Sequence, residues 1–187
     1  MDLHPSEERL LIAGCKKNES WAMKKLYEHF APAMLGVCVR YTNDYEKAKD
    51  VLHEGFIKIF TKINTFSEDG PLGAWMRRVF VTTAFEFLRD DHSKQNMDLA
   101  DYEEKIENIE MSAVEHLSAE DILKCISELP KGCRFVFNMH AIEGYSHVEI
   151  AKMLNIKEGT SRSQFANAKM LLQDKIQKLF VDTDRKK

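Results

Sequence analysis

The sequence predicts an all-α protein built as two small helical domains joined by an acidic linker. Apolar residues recur at the three-to-four-residue spacing of amphipathic helices, and no stretch alternates as a half-buried strand would. Capping residues and Gly/Pro breaks cut that pattern into separate helices. The charge is unevenly divided as well. Between Asp98 and Asp121 nine acidic residues stand against one base, Lys105, so this segment holds −8 of a chain whose net charge is −3, leaving +5 elsewhere. At 187 residues the chain has room for two small domains.

Each element has its own signal. Ser6, followed by Glu7, Glu8 and an apolar run, begins a short helix. A longer one starts near Glu19 and carries Leu26, Phe30, Met34, Val37 and Tyr41 on one stripe; Pro32 should kink or split it, having no N–H for the helix ladder. Asn43-Asp44-Tyr45-Glu46 reads as a capping box for a helix over about 45–63, with Ala48, Leu52, Phe56, Ile59 and Ile63 buried. Ser67 to Pro71 breaks the chain, and the next helix spans about 72–89 along Leu72, Met76, Val79, Thr83 and Phe87. The acidic stretch has few large apolar residues and no strong stripe, so it reads as a linker or weak helix. Ser118 to Asp121 then opens a helix that Leu129-Pro130 ends. A second covers about 131–142 and stops at Gly144, and Ser146 to Glu149 is a capping box for a third, through Leu154. Asn155 to Lys157 turns the chain into a long last helix striped by Ser161, Phe165, Ala168, Leu172, Ile176 and Leu179.

Several function classes are excluded. There is no Gly-rich phosphate loop, no nucleophile elbow and no cluster of histidines with carboxylates, so an enzyme, a cofactor and a small-molecule substrate are not expected. Cys15, Cys38, Cys125 and Cys133 form no C-x-x-C pair, and His140 and His147 lie seven residues apart across a turn; buried free thiols are expected rather than a metal site. No apolar run reaches the roughly 20 residues of a membrane span. The first residues have neither the basic start nor the apolar core of a secretory leader, so a cytoplasmic protein without membrane insertion is expected.

The strongest functional signal lies between Tyr145 and Leu172. A short capped helix, a tight turn holding Ile156 and a longer helix form a helix-turn-helix pattern. Thr160, Ser161, Arg162, Ser163 and Gln164 stand near the start of its second helix, where this motif faces the major groove. An ordinary helical hairpin would share the periodicity. The small hydrogen-bonding cluster around Arg162, and five bases against two acids from Lys157 to Lys178, favour DNA.

With those residues in place, the chain resembles the extracytoplasmic-function (ECF) subfamily of sigma-70 factors, the promoter-recognition subunits of bacterial RNA polymerase. The C-terminal resemblance is carried by Ile126 to Pro130, Phe135 to Phe137, Ile142 to Ile156 and Glu158 to Gln164. The N-terminal one is carried by Asp50 to Phe60, Phe66 to Gly73, Ala74 to Ala84, Leu88 and Arg89. It implies a region 2-like domain over 6–92, an acidic linker over 93–117 and a region 4-like domain over 118–180. It assigns Asp50, His53, Glu54 and Phe56 to core polymerase, His53 standing where the family usually has Gln. It assigns Ser67, Gly70, Trp75, Arg77, Arg78, Thr82, Thr83 and Arg89 to the −10 element, with Thr82 in place of a common Asn. Burial of Trp75 against Leu72 and Val79 is favoured over its stacking on a base. Thr160 to Gln164, Asn167 and Lys169 fall to the −35 element, Ala166-Asn167 replacing a bulkier basic pair. The linker would pass through basic polymerase channels, and an anti-sigma factor joins core polymerase and promoter DNA among the implied partners. A helix-turn-helix regulator working without polymerase is the rival; it leaves Asp50, Glu54 and the Trp75 segment without a role.

Overall fold

A computed structural model describes residues 3–91 and 118–184, so the acidic linker at 93–117 lies outside the described residues. The chain divides into two compact units, Met1–Gln95 and Asn96–Lys187. The described residues hold eight α-helices and no strand.

In the first unit α1 (Pro5–Lys16), α2 (Ser20–Thr42), α3 (Tyr45–Lys62) and α4 (Leu72–Asp91) form a bundle in which α2 packs against the other three and α3 against α4. Three details differ from the sequence expectation. Pro32 neither ends nor splits α2; its ring faces solvent, while Phe30, Met34, Val37 and Tyr41 are buried around it. An interior proline costs about 3 kcal/mol, so burial along the stripe holds this helix together. The cap of α3 is Asp44, whose Oδ1 accepts from the Glu46 and Lys47 amides at 2.9 and 3.1 Å. Asn43 instead closes α2 in the left-handed conformation (φ 55°), so two neighbouring residues divide the work assigned to one box. In α4 the buried line passes through Phe80 and Ala84, leaving Val79 and Phe87 half-buried. Gly55 explains how α3 and α4 come so close: a Cβ there would overlap the Phe80 ring.

In the second unit α5 (Ala119–Ser127), α6 (Lys131–Phe137) and α7 (His147–Leu154) each pack on α8 (Glu158–Asp184). Ser146 forms the expected capping box with Glu149, and Ser118 forms one with Asp121 as well. The helix expected over about 131–142 is α-helical only to Phe137; Asn138–Ile142 is a π turn, and Gly144 (φ +79°) follows in a conformation that glycine adopts without steric cost. All four cysteines are free and buried, and burial pushes the Cys15 and Cys38 thiols up to about 11 and about 12. No helix among the described residues is long and apolar enough to cross a membrane.

Candidate protein and nucleic-acid interfaces

The outer face of α3 follows from its own stripe. Burying Ala48, Val51, Leu52, Gly55, Phe56 and Ile59 turns Asp50, His53 and Ile57 outward. Glu54 stands beside them and binds Lys58 at 2.6 Å, and Lys58 also binds Glu86 of α4 at 2.8 Å. Burial works against the Lys58 charge, but the two carboxylates outweigh it and hold the ammonium above its usual range. Phe56 does not belong to this face. It is buried, with ring centroids 4.6 Å from Tyr27 and 5.3 Å from Phe80, because it continues the stripe of Leu52 and Ile59. Ile57 was missed. It is 66% exposed, and its place off the buried stripe, one turn beyond His53, is the signal that marks it.

The loop before α4 leaves Ser67 and Gly70 exposed, with Glu68 (φ 63°) tied to Lys16 at 2.6 Å. Trp75 is half-buried against Phe66, ring centroids 5.2 Å apart, so it packs while keeping one side open. Arg77, Arg78 and Arg89 are exposed along α4. The Thr82 hydroxyl donates back to the Arg78 and Val79 carbonyls at 3.0 and 2.9 Å, which occupies its proton within the helix. Thr83 points the other way: it is fully buried and its hydroxyl has no hydrogen-bond partner, so it cannot meet DNA. Its place three residues after Phe80 on the buried line is the reason.

The C-terminal motif is built by α7, α8 and the turn between them. Asn155 closes α7 in the left-handed conformation (φ 53°), and α8 begins three residues later. Of its first-turn cluster, Arg162 is exposed and held by Glu158, whose Oε1 accepts from Nη2 at 2.6 Å and Nε at 3.0 Å. Thr160, Ser163 and Asn167 are half-buried, and Lys169 is exposed with its ammonium 5.2 Å from the Phe165 ring centre. Ser161 and Gln164 are buried and leave the groove-facing set. Ser161 Oγ lies 2.9 Å from His147 Nδ1. Gln164 Oε1 accepts from the Cys133 thiol at 2.9 Å, and burial raises that thiol's pKa so that it keeps its proton. Both positions share a face with Ala168, three or four residues apart, and helix geometry sends them inward. Phe165, expected in the packed stripe, is half-buried within a ring cluster: centroids 5.9 Å from Phe137, 4.6 Å from His140 and 5.6 Å from His147. The two histidines stack, centroids 4.2 Å apart with 19° between planes. Burial first, then His140 and Arg162, hold the His147 imidazole below its ordinary range.

Each unit carries its own match to a protein family. Residues 26–94 match the sigma-70 region 2 model, and residues 119–172 match the sigma-70 region 4 model. The chain belongs to the sigma-70 family, ECF type. Among sigma-70 relatives, the RNA polymerase sigma-H factor of Pseudomonas aeruginosa is 24% identical, covering 95% of this chain and 97% of its own. The ECF RNA polymerase sigma-E factor of Haemophilus influenzae is 24% identical, over 92% and 96%, and that of Escherichia coli 23%, over 92% and 95%. The sigma factor RpoE of Bartonella quintana, solved with the anti-sigma factor NepR, shares the fold with a TM-score of 0.55 at 20% identity, over 82% of this chain and 96% of its own. CnrH, solved with the cytosolic domain of CnrY, gives 0.50 at 17% identity, over 95% and 99%.

Proposed function

We propose that this chain is an ECF-type sigma factor that binds core RNA polymerase and directs transcription initiation at promoters carrying −10 and −35 elements. The observation that carries it is the pair of family matches, region 2 and region 4 in that order, each on a separately folded unit. The chain is not an enzyme: its contribution is differential binding of the melted promoter, and bond formation belongs to the polymerase. A regulator working through the helix-turn-helix alone is not favoured, because it has no use for the region 2 unit.

Residue roles follow from exposure and chemistry. The carboxylates of Asp50 and Glu54, with His53 and the apolar Ile57 beside them, offer core polymerase a mixed acidic and apolar surface. The Ser67–Pro71 loop and α4 would take the unpaired −10 strand, with Trp75 as a side wall and Arg77, Arg78 and Arg89 on the phosphates. Thr160, Arg162, Ser163, Asn167 and Lys169 would meet the −35 element. The linker over 93–117 would lie against basic polymerase walls. The cytoplasm is the compartment where such a complex forms. Since the RpoE neighbour was solved in complex with the anti-sigma factor NepR, an anti-sigma factor is proposed as a further partner. The test is run-off transcription from genomic DNA with purified core polymerase. Discrete transcripts that need this chain are expected; core-dependent initiation that ignores it would refute the assignment.

A further inference from the structure

We propose that His140 and His147 form a proton-sensitive junction that positions α8, so that −35 binding weakens when both rings become charged. This rests on the promoter-reading role given to α8 above.

The π turn and Gly144 bring together two rings that lie seven residues apart in sequence. Each has one nitrogen committed. His140 Nδ1 is 2.7 Å from the Tyr145 carbonyl oxygen, which only accepts, so Nδ1 carries the proton. His147 Nδ1 is 2.9 Å from Ser161 Oγ, a fully buried hydroxyl in the first turn of α8. That bond crosses from α7 to α8 one residue before Arg162. Phe165 meets both rings edge-on and completes the contact between the π turn, α7 and α8.

The surrounding charges disfavour a doubly protonated pair. From α8, Arg162 acts against the His147 charge and Glu158 for it, but Glu158 is already bonded to Arg162. Lys169 sits over the Phe165 ring, and Glu149 of α7 is committed to the Ser146 amide and hydroxyl. A second proton would place two cations in a half-buried stack with no uncommitted carboxylate among these groups. Burial and these neighbours favour the neutral form of His147 in the folded state, so the stability it contributes is fully present above the unfolded histidine value of 6.5 and is lost as pH falls through the lower folded pKa. The direction is diagnostic. Added positive charge on a DNA-binding surface ordinarily strengthens binding; this junction predicts the reverse.

The experiment uses holoenzyme reconstituted from the full chain, on its promoter and on the same promoter with the −35 element scrambled. Between about pH 8 and about pH 5, a window that spans a folded pKa below the ordinary histidine value, the ratio of the two affinities should fall about tenfold, the factor expected when the competent fraction drops to a tenth. His140→Phe and His147→Asn should each flatten that fall, and Ser161→Ala should lower the ratio at both pH values. A ratio that does not fall on acidification, or falls equally in both histidine variants, overturns the proposal. Imidazole NMR of the free full chain provides a second arm: the Ser161 and Arg162 amides should follow the protonation of the His147 ring. A His147 titration that leaves those amides silent overturns it too. Failure of the holoenzyme to bind at about pH 8 would count against the promoter role alone, and the NMR titration would still decide the junction.

Discussion

Arg162 and Gln164 are two positions apart on α8, which turns the first towards solvent and the second into the core. Arg162→Ala is therefore expected to leave stability within about 0.5 kcal/mol of the parent. Promoter binding should weaken by about 1–3 kcal/mol, with discrimination relaxed at one −35 position. Thermal melts and a panel of single-base −35 variants check both parts; a uniform loss with shallower salt dependence would assign the side chain to phosphate instead. Gln164→Ala should do the opposite, costing about 1–2 kcal/mol of stability through the lost Cys133 bond while keeping the base preference of molecules that fold. The distinction was partly legible in the sequence. Ser161 falls both on the packed stripe and in the polar cluster, and a stripe containing Ser161 and Ala168 already places position 164 beside them. Polar character pulled Gln164 outward in that reading, whereas a buried amide is stable when a thiol such as Cys133 answers it. His147 carried no such signal, since its meeting with Ser161 depends on how α7 docks.

At the scale of the helix, α3 buries one face in the core and turns Asp50, His53 and Ile57 to solvent on the other. Reversing Asp50 and Glu54 together to Lys should abolish assembly with core polymerase and leave helicity unchanged, a charge-pair loss of at least about 2–5 kcal/mol. Co-elution of the double variant with core enzyme, as for the parent, would remove this face from the interface. Phe56→Ala separates packing from contact on the same helix: it should lower stability by about 3–5 kcal/mol, and the folded fraction should still bind. Helix existence and order were readable from stripes, caps and breaks, because those are local. What was not readable had non-local causes. Pro32 is carried through α2 by the packing on either side of it, and the π turn at Asn138–Ile142 leaves the α-helical stripe that precedes it unchanged.

Over the whole molecule the net charge of −3 conceals a basic remainder, since the stretch from Asp98 to Asp121 alone has nine acids and one base. Replacing six of the linker acids by Gln should strengthen nonspecific DNA binding by the free chain and make that binding more salt-dependent. A filter-binding titration at several salt concentrations checks this; unchanged affinity would make the linker a plain tether. Division into two units was legible because composition changes abruptly at that stretch.

The close approach of Gly55 to Phe80 has a consequence for how such a sequence drifts over time. Position 55 adjoins Glu54 on α3, and position 80 lies on the helix that bears Arg77 and Arg78. Neither site is free to change by itself: a methyl group at 55 needs a smaller ring-side neighbour, and a smaller side chain at 80 leaves a void. Gly55→Ala paired with Phe80→Leu should consequently be tolerated better than the sum of the two single changes, a coupling of about 0.5–3 kcal/mol measurable in a double-mutant cycle. The two positions should therefore be inherited as a pair.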